Sequence, residues 1–309
     1  MGDTLVTGGS GLVGLTLKHH LPDAIYVTSG EFDLRDESNV RRMFERYRPT
    51  RVVHLAGRVA GIYDHLRHPV QYFEENLLMN TYVLRYAHQF GAEKFIGMLS
   101  TCIYPDVVDR YPLNEADLHN GPPTATVFSY AYSKRSFAVQ IDAYNRQYGL
   151  NYNYLIPCNL YGEHDKFDPN HSHYLSDLIR KIALAKNSIT LFGTGKPIRQ
   201  FMHADDLATV IIHYLTHDIQ ENVNVATPEV KTILEIAEIA VRACERPDLF
   251  INFDAEKVDG QYRKDVSIDQ LLRVMPTFTC TSLFTGIRKT YAYFQDRSNS
   301  LRGFSFEAN

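Results

Sequence analysis

Cysteine is scarce in this chain and never occurs in a CxxC pair. Its 309 residues contain Cys102, Cys158, Cys244 and Cys280, which lie far apart. This spacing indicates neither a disulfide framework nor a zinc knuckle. We therefore expect four reduced thiols and no bound metal.

Long apolar runs and a net positive charge are also missing. No stretch of about 18 apolar residues is available to span a membrane, and the first residues, Met1 to Val6, lack the regions of a signal peptide. The 32 basic residues against 36 acidic ones give a net charge of −4, so no cationic field is present to hold a polyanion. We expect a cytoplasmic protein that binds neither membranes nor nucleic acid.

Short apolar runs alternate with longer amphipathic stretches in the first half of the chain. This βαβ rhythm predicts an α/β fold, a doubly wound parallel sheet with helices on both faces. The strands are expected at residues 4–7, 25–27, 51–55, 94–99 and 153–156, and the helices at 12–20, 37–47, 71–90 and 130–148. Beyond Pro157 the sequence is richer in loops. We predict a Rossmann domain over 1–160 and a smaller α/β substrate lobe over 161–309, with some segments of the latter returning to the sheet.

A glycine-rich loop joins the first predicted strand to the first predicted helix. Glycine is needed there for the tight turn, for close backbone approach to a pyrophosphate and for helix–sheet packing. The position directly after a strand and before a helix is the context that supports a dinucleotide-binding loop. Its residues are Gly8, Gly9, Ser10, Gly11, Leu12, Val13 and Gly14.

The end of the second predicted strand favours NADP over NAD. Thr28, Ser29 and Gly30 offer no carboxylate where one would bind the ribose 2′-hydroxyl of NAD. Arg35 is either a partner of the 2′-phosphate or a solvated arginine at a helix start. The remaining predicted contacts to this half of the cofactor are Ser29, Asp33, Leu34, Leu55, Ala56 and Gly57.

A serine at a strand end is followed by a tyrosine and a lysine one helical turn apart. Ser100 ends the fourth predicted strand, and Tyr130 and Lys134 lie on one face of a predicted helix. The ammonium would lower the pKa of the phenol from about 10 and make it a usable proton donor. The Tyr–Lys pair alone is also compatible with two surface residues. The preceding serine and glycine loop favour a catalytic set.

Together these motifs resemble the extended short-chain dehydrogenase/reductase superfamily and, within it, the GDP-L-fucose synthase family. The resemblance runs from the glycine loop to Phe294. It is carried by Ser-Thr-Cys-Ile-Tyr-Pro at 100–105, His-Asn-Gly-Pro-Pro at 119–123, Pro-Cys-Asn-Leu-Tyr-Gly-Glu-His-Asp at 157–165, Ser-His at 172–173, Gly-Thr-Gly-Lys-Pro-Ile-Arg-Gln-Phe at 193–201 and Asp-Gly-Gln-Tyr-Arg-Lys at 259–264.

The resemblance implies two linked reactions at one carbonyl group. Ser100, Tyr130 and Lys134 fall on the reductase triad, and Cys102 and His173 fall on the pair that epimerises. A C4 ketone acidifies the protons at C3 and C5, so one group can remove a proton and another can return it to the opposite face. The implied activity is the NADPH-dependent 3,5-epimerisation and 4-reduction of GDP-4-keto-6-deoxy-D-mannose. The alternatives are that Cys102 is a buried apolar thiol and His173 an ordinary loop histidine.

The resemblance also implies residues that hold the two ligands, and a homodimer formed through helices 71–90 and 130–148. Lys181, Arg199 and Lys264 would neutralise the diphosphate, while Phe192 would stack on guanine or pack on the ribose. The further cofactor contacts are Tyr130, Lys134, Pro157, Asn159, Leu160 and His173. The substrate contacts are Ser100, Thr101, Cys102, Asn159, Lys181, Phe192, Arg199 and Lys264.

Four positions depart from the family pattern. The family commonly has threonine at Cys158, proline at Glu163, asparagine at Lys166 and tryptophan at Phe192. Because the catalytic positions are intact, the departures affect the identity of the substrate more than the chemistry. A 4-reductase or epimerase of another GDP-4-keto sugar therefore remains an alternative, as does a redox-sensing protein that binds NADP without turnover.

Overall fold

Short, mostly buried strands form the centre of the structure. The structure is a computed structural model, and it describes residues 3–168, 172–257 and 259–301, without the side chains of 298–301. All four residues of the first strand are buried, because a parallel strand covered on both faces has no solvated side. The strands are β1 Thr4–Thr7, β2 Ile25–Val27, β3 Arg51–His54, β4 Lys94–Met98, β5 Asn153–Pro157, β6 Asn159–Tyr161, β7 Ser188–Phe192, β8 Ile198–Arg199, β9 Phe201–His203, β10 Val223–Val225, β11 Lys231–Thr232 and β12 Phe250–Asp254.

Helices cover both faces of this sheet. They are α1 Leu12–His20, α2 Glu37–Tyr47, α3 Ile62–Arg67, α4 Pro69–Gln89, α5 Phe128–Tyr148, α6 Tyr174–Leu184, α7 Ala204–Thr216, α8 Ile233–Ala243, α9 Asp269–Val274 and α10 Leu283–Leu301. The predicted bounds of α1 and α2 are confirmed. Helix α4 begins two residues earlier than predicted, because Pro69 occupies the first helical position, where its missing N–H costs nothing.

The central sheet has six parallel strands in the order β10-β5-β4-β3-β1-β2. The predicted doubly wound fold is confirmed. The chain reverses its direction of winding between β1 and β3, and in open α/β sheets ligands bind in the crevice at such a switch point.

The chain beyond residue 160 builds a second apolar core and also extends the sheet. Small two-stranded pairs, β7 with β12, β8 with β11 and β6 with β9, surround helices α6, α8 and α10, whose apolar faces pack together. Strand β10 pairs with β5 at the edge of the main sheet. The domain boundary at residue 160 stays a prediction.

No helix in the described part of the chain is long and apolar enough to cross a membrane. The cytoplasmic location stays a prediction of the sequence.

Gly97 on β4 allows α5 to pack directly against the sheet. A Cβ at this position would lie 2.7 Å from the ring of Phe137 and 2.8 Å from Ile141 Cδ1.

We expect Gly97→Ala to lower the free energy of unfolding by about 1–3 kcal/mol, because overpacking displaces buried side chains. Urea denaturation would measure the loss. Gly61→Ala is the control, since its Cβ meets nothing within 4 Å, and an equal loss there would contradict the explanation.

Candidate active site

The glycine loop between β1 and α1 lies at the crevice of the sheet. Gly8 has a φ of +74°, and a Cβ there would be 2.8 Å from the backbone nitrogen of Ala56. A side chain at Gly14 would run into the carbonyl of Gly8, so the helix packs tightly against the loop. Helix α1 has no side-chain cap at Gly11 and no acidic residue in its first turn. Its first N–H groups therefore suit a diphosphate, as predicted for a dinucleotide.

Glu31 places a carboxylate near the end of β2. The sequence analysis expected no acidic group there that would repel a 2′-phosphate. A turn brings Glu31 back onto Thr28, whose N–H and Oγ1 donate to Glu31 Oε2 at 3.1 and 3.2 Å. Ser29 is exposed beside this turn. The sequence analysis missed the contact because Glu31 lies four residues after the strand.

The two candidates for the adenine and phosphate end, Asp33 and Arg35, bind each other. Arg35 donates from Nε and Nη2 to the two carboxylate oxygens of Asp33 at 2.9 and 2.8 Å, and its Nη1 is 3.4 Å from Glu75. Leu34 is buried next to them. Arg35 is therefore paired with Asp33, while half of its side chain remains exposed to solvent.

The loop after β3 brings the predicted residues Leu55, Ala56 and Gly57 next to helix α5. A Cβ on Gly57 would lie 3.1 Å from Asn76 Oδ1 and 3.4 Å from Lys134 Nζ. The Asn76 side chain fastens the loop, because it accepts from the Arg58 N–H at 2.9 Å and donates to the Arg58 carbonyl at 3.1 Å. The lysine ammonium consequently lies directly beneath the strand-end loop.

Tyr130 and Lys134 are both buried on one face of α5. Burial lowers the pKa of Lys134 to about 8, and its Nζ donates to the Met98 carbonyl at 2.8 Å. The expected lowering of the Tyr130 pKa is wrong for this structure. Burial raises it, a hydrogen bond with Ser100 only partly opposes the rise, and the Lys134 ammonium lies 6.0 Å from the centre of the ring. The phenol therefore keeps its proton at neutral pH.

Cys102 is paired with a lysine that comes from the far end of the chain. Lys264 Nζ is 3.5 Å from Cys102 Sγ. Burial raises the thiol pKa, but Lys264, Ser100 and, at longer range, Arg199 outweigh burial and bring the pKa below its ordinary value. The neighbouring Thr101 is buried in the short 3₁₀ helix Thr101–Ile103. A cysteine with a lowered pKa therefore lies next to the Ser100 hydroxyl.

Lys264→Met should shift the pH dependence of any reaction that uses the Cys102 thiolate. The ammonium lowers the pKa of the thiol, so its removal raises that pKa and reduces the thiolate fraction near neutrality. We expect the rising limb of the pH–rate profile to move to higher pH in this variant. Lys264→Arg, which retains a positive charge, should largely restore the position of the limb. Unchanged profiles in both variants would contradict the pairing.

His173 begins α6, and a buried carboxylate orients its ring. Asp165 Oδ1 is 3.3 Å from His173 Nδ1, and Asp165 also accepts from the Lys166 N–H and the Ser176 hydroxyl. This hydrogen bond raises the pKa of His173 above its ordinary value. Asp165 is a positioning residue that the sequence analysis missed, although it lies in the 157–165 motif.

A second histidine, His65 on α3, also lies beside Tyr130 and was not predicted. The rings of His65 and Tyr130 meet edge to face at 5.2 Å, and the ring of Tyr72 lies 3.8 Å from His65. His65 is buried, its Nδ1 has no hydrogen-bond partner, and burial lowers its pKa to about 4. The sequence carries no signal for it, since a lone histidine on a short helix is unremarkable.

The predicted nucleotide-sugar residues come from several elements: Asn159 lies on β6, Lys181 on α6, Phe192 on β7 and Arg199 on β8, and Lys264 lies in the loop before α9. Phe192 is 53% exposed, with Lys181 and Lys257 at 5.2 and 5.9 Å from its ring. Lys181 is also 3.0 Å from the carboxylate of Asp177. An exposed aromatic ring flanked by two ammonium groups is suited to a base and its phosphates.

Arg199 and Asn159 are held by backbone carbonyls at the inner side of this surface. Arg199 Nη1 donates to the Ile198 carbonyl at 2.8 Å, and Asn159 Nδ2 donates to the Gln200 carbonyl at 2.8 Å. Leu160 is half-buried beside Asn159, and Pro157 ends β5. The structure therefore places Arg199 within electrostatic range of Cys102, while Lys181 and Phe192 form a more exposed part of the surface.

Comparison with known proteins places these features in context. The sequence pattern of the NAD dependent epimerase/dehydratase family matches residues 4–226. The chain is 36% identical to a GDP-L-fucose synthase from Dictyostelium discoideum over 96% of this chain and 97% of that protein. It is 31% identical to a GDP-L-colitose synthase from Yersinia pseudotuberculosis over 96% of this chain and 99% of that protein.

A solved structure agrees with these relatives. A GDP-L-fucose synthetase from Naegleria fowleri bound to NADP superposes with a TM-score of 0.87 at 33% identity, covering 96% of this chain and 93% of that one.

Proposed function

Because the chain belongs to the NAD dependent epimerase/dehydratase family and, within it, to the GDP-L-fucose synthases, we propose that it converts GDP-4-keto-6-deoxy-D-mannose to GDP-L-fucose with NADPH. The resemblance predicted from the motifs is confirmed. The observation that carries the proposal is the convergence of Tyr130, Ser100 and the Cys102–Lys264 pair at the end of the central sheet, next to the dinucleotide loop.

The cysteine and the histidine carry out the proton transfers. The Cys102 thiolate removes a proton at C3 or C5, and a protonated His173, oriented by Asp165, returns one to the opposite face. The Ser100 and Tyr130 hydroxyls donate hydrogen bonds to the C4 oxygen and stabilise the enolate between the two transfers. One carbonyl-binding site therefore serves both inversions.

Tyr130 supplies the proton that completes the reduction. When bound, NADPH supplies the hydride to C4. The negative charge that develops on the C4 oxygen is neutralised by the phenolic proton, and the buried Lys134 ammonium supplies a positive charge 6.0 Å from the centre of the ring. Residues Gly8–Gly14, Leu55–Gly57, Pro157 and Leu160 are proposed to hold the cofactor in this position.

A combined assay tests the proposal. Purified protein is supplied with GDP-4-keto-6-deoxy-D-mannose and NADPH, and the products are followed by absorbance and by NMR. The expected result is one NADPH oxidised for each GDP-L-fucose formed. The absence of both NADPH consumption and a new sugar nucleotide would overturn the proposal.

A second substrate is favoured by one specific observation. The relative named GDP-L-colitose synthase is 31% identical over nearly the full length, and the exposed ring at the base surface is Phe192, where the family commonly has tryptophan. Another GDP-4-keto sugar would then be epimerised or reduced by the same groups. Comparing kcat/KM for GDP-4-keto sugars that differ in the sugar separates the two substrates.

NADP is proposed as the preferred cofactor. The solved relative that carries NADP is 33% identical over 96% of this chain. Both carboxylate oxygens of Asp33 accept from Arg35, so this carboxylate is neutralised, whereas Glu31 accepts from Thr28 through Oε2 alone. We expect kcat/KM for NADPH to exceed that for NADH by about tenfold or more, a discrimination of about 1.4 kcal/mol. Equal values would contradict this preference.

A homodimer through α4 and α5 is proposed as well. The two helices pack side by side, and apolar side chains on their outer faces, including Val70, Leu78 and Val139, remain exposed. A two-fold axis would bury these faces against their copies in a four-helix bundle.

Sedimentation should give twice the chain mass of 35.4 kDa, and Val139→Glu should lower the measured mass to the single-chain value. A single-chain mass for the unchanged protein would rule out the dimer.

A further inference from the structure

Three chain segments bring imidazole and carboxylate groups together at a point that the proposed reaction does not use. Glu163 follows β6, His203 ends β9, and Asp205 lies in the first turn of α7. One ligand atom from each residue lies within 4.8 Å of the other two. At the end of α1, His20 Nε2 is 3.0 Å from Asp205 Oδ1 and adds a second imidazole.

The buried histidine of this cluster lacks a hydrogen bond at the nitrogen that faces Glu163. His203 is fully buried, and its Nε2 makes no hydrogen bond. Glu163 Oε2 is only 3.0 Å from that nitrogen but lies off the direction in which an N–H would donate. The distance is that of an ion pair when the imidazole is protonated, although the angle is poor for a hydrogen bond.

Such spacing is characteristic of two ligands of one metal ion. In a tetrahedral site with metal–ligand bonds of about 2.0–2.1 Å, adjacent ligand atoms are about 3.3 Å apart. The Glu163–His203 and His20–Asp205 distances of 3.0 Å are close to this value. The ligand atoms of Glu163, His203 and Asp205 lie within 4.8 Å of one another, a span that a small movement of the Asp205 side chain would close.

The surroundings support metal binding through Nε2 of His203. Nδ1 lies 3.4 Å from Asp205 Oδ2, so an Nδ1–H can donate to that carboxylate and leave the Nε2 lone pair, on the side of Glu163, for a metal ion. Imidazole with carboxylate ligands suits zinc and similar transition-metal ions better than magnesium or calcium, which prefer oxygen alone. The nearest competing cation is Lys289, whose Nζ is 4.0 Å from Asp205 Oδ2.

We propose that Glu163, His203 and Asp205 bind a divalent transition-metal ion, with His20 as the fourth ligand. Glu163 lies two residues before Asp165, which orients His173. A bound ion therefore joins α1, α7 and the segment that positions the epimerase histidine.

Metal titration of the full-length, tag-free, EDTA-treated protein tests the site. Zinc is followed by calorimetry, and cobalt by visible absorption, whose intensity reports tetrahedral coordination. We expect one ion per chain for the unchanged protein and an affinity at least tenfold weaker for Glu163→Gln and for His20→Gln. Both side chains are partly exposed, so circular dichroism should show that the variants fold normally. Magnesium should not compete.

A matched control distinguishes this site from ordinary surface histidines. His213 and His217 lie four residues apart on the other end of α7 with ring centres 4.1 Å apart, a spacing that can hold an adventitious ion. His217→Gln should leave the affinity unchanged. Loss of binding in His217→Gln with full binding in Glu163→Gln would overturn the proposal, as would the absence of binding by the unchanged protein. Because these readouts need no turnover, they are independent of the proposed function.

Discussion

Tyr130→Phe should lower the rate of ketone reduction by roughly 10²–10⁴-fold, the usual contribution of a positioned general acid. The ring remains to pack against His65 and Tyr72, so the change removes the hydroxyl and little else. Burial raises the pKa of the phenol, which means that the hydroxyl carries its proton throughout the neutral range. Without the Tyr130 hydroxyl, no proton is available to neutralise the alkoxide that forms at C4.

The measurement is NADPH oxidation with an already epimerised ketone, together with NADPH binding to the free protein. Binding should stay within a few-fold of the unchanged protein, because the glycine loop is untouched. Tyr132→Phe is the matched control, since its ring packs on Phe128 and Arg135 away from the site. If Tyr130→Phe left the turnover unchanged, the interpretation as an NADP-binding sensor would replace the enzymatic one.

The same assay has an expected pH dependence. Burial lowers the pKa of Lys134 to about 8, so the ammonium is lost as the pH rises through that value. The rate of reduction should therefore fall on the alkaline side, while the Tyr130 phenol is still protonated. If the rate of reduction fell only at a pH well above the one at which Lys134 titrates, the ammonium would not contribute to the reduction.

Cys102→Ser and His173→Gln should each reduce epimerisation by roughly 10²-fold or more while sparing the reduction of a ketone that is already epimerised. The serine hydroxyl ionises at much higher pH than a thiol whose pKa Lys264 lowers, so the base is lost. The glutamine side chain has no acidic proton that could be returned to C3 or C5. The hydride step depends on Tyr130 and Lys134, which neither substitution alters.

Solvent deuterium entering C3 and C5, followed by NMR, measures the first reaction, and NADPH oxidation measures the second. Cys280→Ser and His119→Gln are the controls, because Cys280 donates to the Ala226 carbonyl and His119 is exposed at the end of the 3₁₀ helix Glu115–His119. Equal losses in both reactions would contradict the division of labour between the two pairs.

The sequence alone determined the features that depend on neighbours along the chain. Alternating apolar and amphipathic segments predicted the doubly wound sheet, and the glycine spacing predicted the loop before α1. The four-residue spacing of Tyr130 and Lys134 predicted their common helical face, because a helix turn brings such positions together. Each of these patterns is local and can be recognised without knowing the fold.

Only the tertiary structure decided the electrostatics of the site. Lys264 reaches Cys102 across 162 residues, Glu31 folds back onto β2, and burial raises the Tyr130 pKa that local spacing was expected to lower. The cluster at Glu163 likewise joins four segments whose sequence spacing resembles no metal motif. Burial and long-range pairing arise from packing and set the charge of each group, so no local pattern predicted them.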